Sequence, residues 1–284
     1  MNARPCPACA AHDPRPFAEK NGYRFVRCGT CATLYTHDVV ESIYDDYYDA
    51  SNLDVPAFLA KRIAEIVAGF GRPGRLLDVG FGAGTFLEAA RRAGWQTSGV
   101  EVSLPAVEQA RARGFDVAHG RLEDAAYPDA SFDAVVATEI FEHISDVRPL
   151  LRETARILRP GGLLWATTPH GRGLSARIIG GPWSVVSPPE HVQLFSIRGM
   201  RTLLRDCGFA KISIAAEGLN PLEIADHLRR RTTKPFDRVS SSYAINEFLL
   251  ERPSRRFIKR SLNRLLSALR LGDSLKIAGR KAVD

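Results

Sequence analysis

Between Arg75 and Glu217 short apolar runs alternate with amphipathic segments, and glycine or proline marks most of the changeovers. Arg75–Val79 reads as a buried strand, Thr85–Ala93 as a helix ended by Gly94, and Trp95–Glu101 as a second strand. Ser103–Arg113 reads as a helix closed by Gly114, and Phe115–Ala118 as a third strand. The series continues with a strand over Phe132–Thr138, a helix over Val147–Leu158, a stop and turn at Arg159–Gly162 and a strand over Leu163–Thr168. It closes with a helix over Ile197–Cys207 and a strand over Ala210–Glu217. Such alternation predicts a doubly wound α/β fold, a parallel sheet with helices on both faces. Ligands of these sheets bind beyond the carboxyl ends of the strands, where the strand order reverses.

Four of the five cysteines form two pairs, Cys6-Pro-Ala-Cys9 and Cys28-Gly-Thr-Cys31. This spacing can wrap four thiolates around one tetrahedral zinc ion. Between the pairs, Asn21-Gly22 signals a two-residue hairpin turn. A module of this size cannot bury enough apolar surface to fold alone, so the metal is expected to supply most of its folding energy. The N-terminal residues lack the apolar stretch of an export signal, which predicts a reducing, cytoplasmic setting and argues against disulfides. Cys207 has no paired cysteine nearby and reads as a core residue at a helix end. Residues 1–35 are thus expected to form a zinc ribbon and residues 36–74 a helical cap. Residues 75–284 would be the main domain, with a helical insertion at about 219–271. Within the cap, Ile43, Tyr44, Tyr47 and Tyr48 have helical spacing, and Phe58, Ile63, Ile66 and Val67 mark a second helix.

The first strand runs into Asp78-Val79-Gly80-Phe81-Gly82-Ala83-Gly84. Glycines here let a ligand approach the backbone where the next helix opens. The nicotinamide fingerprint needs a third glycine at Thr85 and lacks a carboxylate at Asp78, which would repel a pyrophosphate. Asp78 instead suits a ligand with an ammonium group, and Glu101, ending the second strand, suits the hydroxyls of a ribose. A ribose, an amino group and no phosphate describe S-adenosylmethionine (SAM).

These segments, with Ser131-Phe-Asp133, Ile140-Phe-Glu-His143-Ile, Leu158-Arg-Pro-Gly-Gly162 and Thr168-Pro169, resemble the successive motifs of class I SAM-dependent methyltransferases. His191-Val-Gln-Leu-Phe195-Ser196 and Gly272–Lys281 resemble later elements of that fold. With the cysteines in front, the chain resembles a bacterial branch that joins a zinc ribbon to this domain and modifies sugars, glycans, quinones and other metabolites. The resemblance implies a seven-stranded sheet of order 3-2-1-4-5-7-6 with strand seven antiparallel. It implies that Gly80, Gly82 and Gly84 line the methionine end of SAM, with Asp78 near its amino group and Glu101 on the ribose. The adenine would meet the segment Gly120-Arg121-Leu122-Glu123-Asp124, through the backbone at Leu122 or through Glu123. Glu139, after strand four, would border the cofactor.

The Asn/Asp-Pro-Pro-Tyr motif of nucleobase amine methylators is missing after strand four, where Thr138-Glu-Ile-Phe141 stands. Glu139, Glu142, His143, His170 and His191 dominate the carboxyl ends instead, which points to methylation of a hydroxyl whose proton must be removed. His143 is expected to be the base, titrating near neutral pH, with His191 orienting the acceptor and Glu142 beside them. If a helix starts at Glu139, then Glu139, Glu142 and His143 share one side. Glu139-x-x-Glu142-His143 also resembles an element of ubiquinone-pathway and small-RNA O-methyltransferases that holds a divalent metal, which His191 would complete here. The acceptor's identity is expected in residues 169–195, around Arg172, Trp183 and Pro188-Pro189. The alternatives are C-methylation of a keto-sugar, an RNA methyltransferase and a non-catalytic cofactor-binding protein.

The net charge of +7 is uneven: +3 over residues 1–35, −4 over 36–220 and +8 over 221–284. Nucleic acid is an unfavoured partner for the middle of the chain. Near the C-terminus Phe257, Ile258, Leu262, Leu265, Leu266 and Leu269 recur at helical steps between Arg255, Arg256, Lys259, Arg260 and Arg264. This basic amphipathic helix is expected either to pack on the domain or to meet anionic lipid at the inner membrane face.

Overall fold

A computed structural model describes residues 4–40, 57–229 and 237–283. The helix expected around Ile43–Tyr48, and with it any substrate contact by Tyr47 or Tyr48, lies outside the described residues. The N-terminal strands are β1 (Pro14–Lys20), β2 (Tyr23–Cys28) and β3 (Leu34–Thr36). Asn21 and Gly22 join the first two with φ of 52° and 78°, the left-handed pair that a tight hairpin turn requires.

The main domain follows with α1 (Ala57–Ala68), β4 (Arg75–Val79), α2 (Thr85–Arg92), β5 (Gln96–Glu101), α3 (Leu104–Ala112) and β6 (Asp116–His119). Next come β7 (Phe132–Thr138), α4 (Arg148–Ile157), β8 (Leu158–Pro169), α5 (Leu174–Ile178), β9 (Gln193–Leu194), α6 (Ile197–Asp206) and β10 (Phe209–Glu217). Helices α7 (Pro221–Arg229), α8 (Arg238–Glu251) and α9 (Pro253–Ala268) precede the last strand, β11 (Ser274–Lys281). Seven strands form one sheet in the order β10-β11-β8-β7-β4-β5-β6. Strands β6, β5, β4, β7 and β8 are parallel, and β11 is antiparallel to both β8 and β10. This is the expected sheet read from its other edge.

The order reverses between β4 and β7, so their carboxyl ends frame the crevice where ligands of such sheets bind. Leu76, Leu77 and Val79 of β4 and Ala134–Ala137 of β7 are buried, as central strands covered on both faces must be. Ile63 and Val67 of α1 pack with Phe86, Trp95 and Val136 on one face. Cys207 is buried at the C-cap of α6, as expected. Two local expectations differ. Arg159–Gly162 does not separate a helix from a strand. Leu158 already pairs with Phe132, Leu163 pairs with Ala134, and the residues between bulge out of β8. Trp183 is fully buried among Phe25, Leu34, Ile179 and Leu194, so it is a core residue rather than an acceptor contact.

The cysteine hairpin does not stand apart from the domain. Strand β3 pairs with β9, through Leu34 with Leu194 and Tyr35 with Gln193. Cys6, Cys28 and Cys31 share one core with Phe195 and Met200 of the main domain.

Candidate active site and cysteine cluster

Gly80, Gly82 and Gly84 all take left-handed φ, 65°, 48° and 70°, in the turn from β4 into α2. A Cβ at Gly80 would stand 2.2 Å from Ile140 Cδ1, so a side chain there is strained by its left-handed φ and would also displace Ile140. Glu101 holds this turn to the end of β5. Its carboxylate accepts from the backbone N–H groups of Gly82 (3.0 Å), Val102 (2.8 Å) and Ser103 (3.0 Å). Arg113 clamps the other side by donating to the Ala83 carbonyl at 2.8 Å.

Asp78 is 2% exposed, and its Oδ1 has no partner among the described residues. Burial, and then the charge of Glu101, push its carboxyl well above the usual carboxylate range. A buried carboxyl lacking a donor at the mouth of a glycine turn is what an ammonium-bearing ligand would complete. Leu122 opens a single 3-10 turn, Leu122–Asp124, after β6. Its side chain is fully buried, which leaves its backbone for any ligand contact.

A cavity of about 490 Å³ lies over the carboxyl ends of β4, β7 and β8. Asp78, Thr138 and Glu139 line it at the sheet, and α1, α8 and α9 close over it. No helix starts at Glu139. Glu139 turns the chain with φ of 53°, a single turn follows, and α4 begins only at Arg148.

That turn still gathers the expected side chains. Glu142, His143 and His191 bring one ligand atom each within 4.8 Å of one another, and Glu139 is not in this set. The three lie outside the cavity lining, whereas Glu139 is part of it. Glu142 is 1% exposed and accepts from the Thr168 hydroxyl at 2.9 Å. Burial first, and Glu139 second, push its carboxyl well above the usual range. His143 Nδ1 is 2.9 Å from the Glu190 carbonyl, and His191 Nδ1 is 2.7 Å from that of Val185. A carbonyl only accepts, so each Nδ1 carries a proton where these bonds form, and the His143 ring also meets the Glu139 backbone. His143 Nε2 lies 3.8 Å from Glu142 Oε1. Burial, and then His191, pull the His143 imidazole down to about 3. The near-neutral titration expected from its sequence is therefore corrected by its burial. His170 stands apart, with Nδ1 at 2.8 Å from the Gly272 carbonyl.

Two residues that no motif singles out hold this arrangement. Arg4 donates to the carbonyls of Thr36 (2.8 Å), Ser145 (3.0 Å) and Val192 (2.9 Å). Gln193 donates to those of Phe141 (2.8 Å) and Ile144 (2.5 Å). The turn carrying Glu142 and His143 is thus strapped to β9 and to the cysteine hairpin.

Cys6, Cys9, Cys28 and Cys31 converge, with their sulfurs within 4.8 Å of one another and none in a disulfide. Cys6 and Cys31 are 3.5 Å apart, and Cys9 and Cys28 are 3.6 Å apart. Four sulfurs around one zinc stand roughly 3.8 Å apart, given Zn–S bonds of about 2.3 Å, so the residues fit that metal. The hydrogen bond between Cys6 and Cys31 pulls the Cys31 thiol down and pushes the Cys6 thiol up, so the pair shares one proton.

The sequence of residues 51–214 matches the methyltransferase domain family. The chain belongs to that family. A ubiquinone biosynthesis O-methyltransferase of Xanthomonas oryzae is 38% identical over 101 residues, 33% of this chain and 42% of the relative. A malonyl-[acyl-carrier protein] O-methyltransferase of Serratia marcescens is 31% identical over 154 residues, 51% of this chain and 58% of the relative. The chain therefore spans about half the length of these curated relatives. A SAM-dependent methyltransferase structure from Archaeoglobus fulgidus superposes with a TM-score of 0.54 at 19% identity, covering 78% of this chain and 93% of that one. That likeness supports the fold alone.

Proposed function

We propose that this protein is a SAM-dependent O-methyltransferase acting on a small-molecule hydroxyl, a sugar or other metabolite. The observation that carries the reading is the buried Asp78 carboxyl, whose Oδ1 has no partner among the described residues, beside a glycine turn held by Glu101 at the reversal point of a methyltransferase-family sheet. The two O-methyltransferase relatives support oxygen as the acceptor atom. Bound SAM supplies a methyl group already activated on a sulfonium. Glu101 takes the ribose, Asp78 meets the amino group, and the Leu122 backbone meets the adenine. The chain's remaining work is to align the hydroxyl and to take its proton.

Glu139, in the cavity lining, meets the hydroxyl, and the His143 imidazole in the cluster behind it receives the proton. His191, its ring centroid 4.8 Å from that of His143, orients the acceptor only through the His143 ring. A second reading is that Glu142, His143 and His191 hold a divalent cation. It is favoured by two neighbouring imidazoles whose Nδ1 atoms are held on carbonyls. Chelation separates the two readings. Activity lost with a chelator and regained with added cation, the cysteine-bound zinc retained, supports the metal.

Incubating the protein with methyl-labelled SAM and fractionated cell extract should place label in the small-molecule fraction, stable to mild alkali as an ether is. Label confined to RNA would replace this reading with an RNA methyltransferase, and an alkali-labile product would move the acceptor to a carboxyl group. We further propose that Cys6, Cys9, Cys28 and Cys31 hold a structural zinc ion.

Helix α9 packs on the domain, with Leu266 buried and Lys259 in the cavity wall, and we assign its exposed face to peripheral contact with anionic lipid. Phe257, Ile258 and Leu265 are exposed at 70%, 59% and 55%, beside Arg255, Arg256, Arg260 and Arg264. Among the described residues no helix is long and apolar enough to cross a membrane. Flotation with anionic vesicles should recover the protein at low salt and lose it at high salt. Equal recovery with neutral vesicles, or none with either, would leave the helix without this role.

A further inference from the structure

We propose that the methyl acceptor carries an oxyanion, phosphate or carboxylate, that seats between Arg62, Lys259 and Lys276 at the far end of the cavity. The proposal rests on the methyltransferase reading and extends it to the charge of the substrate. The cavity floor is a single row across three neighbouring strands. Lys276 of β11 pairs with Thr167 of β8, and Thr167 pairs with Thr138 of β7. All three line the cavity. Strands lie about 4.8 Å apart, so Lys276 stands roughly 10 Å from Thr138 and its neighbour Glu139. Asp78 is beyond them on β4, so the cofactor end and the lysine end are opposite ends of one floor.

The lysine end carries more positive charge than its own carboxylates balance. Arg62 comes from α1, Lys259 from α9 and Lys276 from β11. Glu217 is ion-paired with Lys276. Asp273 also lines this end, but its carboxylate accepts from the Ser175 backbone N–H at 3.0 Å and from the Ser175 hydroxyl at 2.6 Å. Lys259 donates to the neutral Asn246 Oδ1 at 2.6 Å. Among the described residues neither Arg62 nor Lys259 has an ion-pair partner.

Three cations therefore face two carboxylates in a half-buried wall, one ion-paired with Lys276 and the other turned to Ser175. Burial, and then Arg62 and Lys276, pull the Lys259 ammonium down to about 8. A bound oxyanion relieves that repulsion and accepts charge-assisted hydrogen bonds from all three groups. Its seat lies about two strand spacings from the point of methyl delivery. That span suits a compact metabolite with the anion at one end and the hydroxyl at the other. The same helix α9 supplies Lys259 inward, so the insertion that roofs the cavity also selects for charge.

The test is calorimetry on the full chain with its metal bound, saturated with S-adenosylhomocysteine, using inorganic diphosphate and succinate as probes. One probe should bind per chain, more weakly as salt rises, and the tighter probe tells phosphate from carboxylate. Lys259→Gln should weaken it by ~10-fold or more, the loss of a hydrogen bond to a charged group, while S-adenosylhomocysteine affinity is unchanged. Lys259→Arg, which keeps the charge, should restore most of the affinity and shows that the site still folds. The proposal is overturned if neither probe binds while S-adenosylhomocysteine does, or if Lys259→Gln leaves probe binding unchanged. It is also overturned if Lys259→Gln weakens S-adenosylhomocysteine instead, because the lysine would then serve the cofactor's own carboxylate. An unaltered chain that fails to bind S-adenosylhomocysteine would strike the methyltransferase reading itself, so the two failures are distinct.

Discussion

Replacing Cys28 by serine is expected to remove the zinc ion and to lower unfolding free energy by more than about 4 kcal/mol, the range reached when a structural metal site is lost. The effect should spread beyond the hairpin. The Ser196 hydroxyl donates to the Cys31 carbonyl at 2.5 Å, and a Cβ on Gly199 would stand 3.2 Å from Cys31 Sγ, so the knuckle sits directly on α6. Pairing of β3 with β9, and the Arg4 bonds to Ser145 and Val192, depend on the same knuckle. Elemental analysis and a urea titration check this. A metal-free Cys28→Ser protein with an unchanged urea midpoint would contradict a structural zinc.

His143→Ala should lower turnover by ~10²-fold or more while S-adenosylhomocysteine binding survives. His143 is outside the glycine turn, so cofactor affinity separates a damaged acceptor site from a damaged fold. The pH profile adds a signature. Because burial holds the His143 imidazole near 3, the ring stays neutral as pH falls from 7 to 5. An ordinary histidine, titrating near 6.5, would be mostly protonated by then. Turnover of the unaltered protein should therefore show no histidine-like loss across this range. The stability sign is the opposite of a salt-bridged histidine. A folded-state pKa below the unfolded value makes the unfolded chain bind more protons between about pH 6.5 and 3, so this group's contribution is complete above that window and declines as pH falls through it. Loss of turnover with an apparent pKa near 6.5 would contradict a buried, neutral His143.

Most of the sheet was legible because central strands are buried on both faces. Runs such as Arg75–Val79 and Phe132–Thr138 show their burial directly in composition, and their bounds coincide with the observed strands. The cofactor turn was legible because three glycines and two carboxylates have few other uses at that spacing. What stayed hidden depends on tertiary placement. Nothing in Leu34 or Gln193 signals that β3 and β9 pair across the chain, since backbone pairing leaves little local mark. The left-handed turn at Glu139 forms in place of a helix because Val192 and Gln193 donate to the Glu142 carbonyl and Gln193 also takes up those of Phe141 and Ile144, capturing the turn from a distant strand. The depressed His143 imidazole follows from burial, which a residue name does not carry. Likewise, Arg62, Lys259 and Lys276 are far apart in sequence, and only the fold makes them one wall.

Titrating S-adenosylhomocysteine into the unaltered protein and into Glu101→Ala asks whether the glycine turn between Asp78 and Glu101 is a SAM site. The unaltered protein should show one site per chain and the variant a loss of about 1.5–3 kcal/mol, the worth of hydrogen bonds to a charged group. Absence of binding by the unaltered chain, or equal affinity in Glu101→Ala, would contradict a SAM site there.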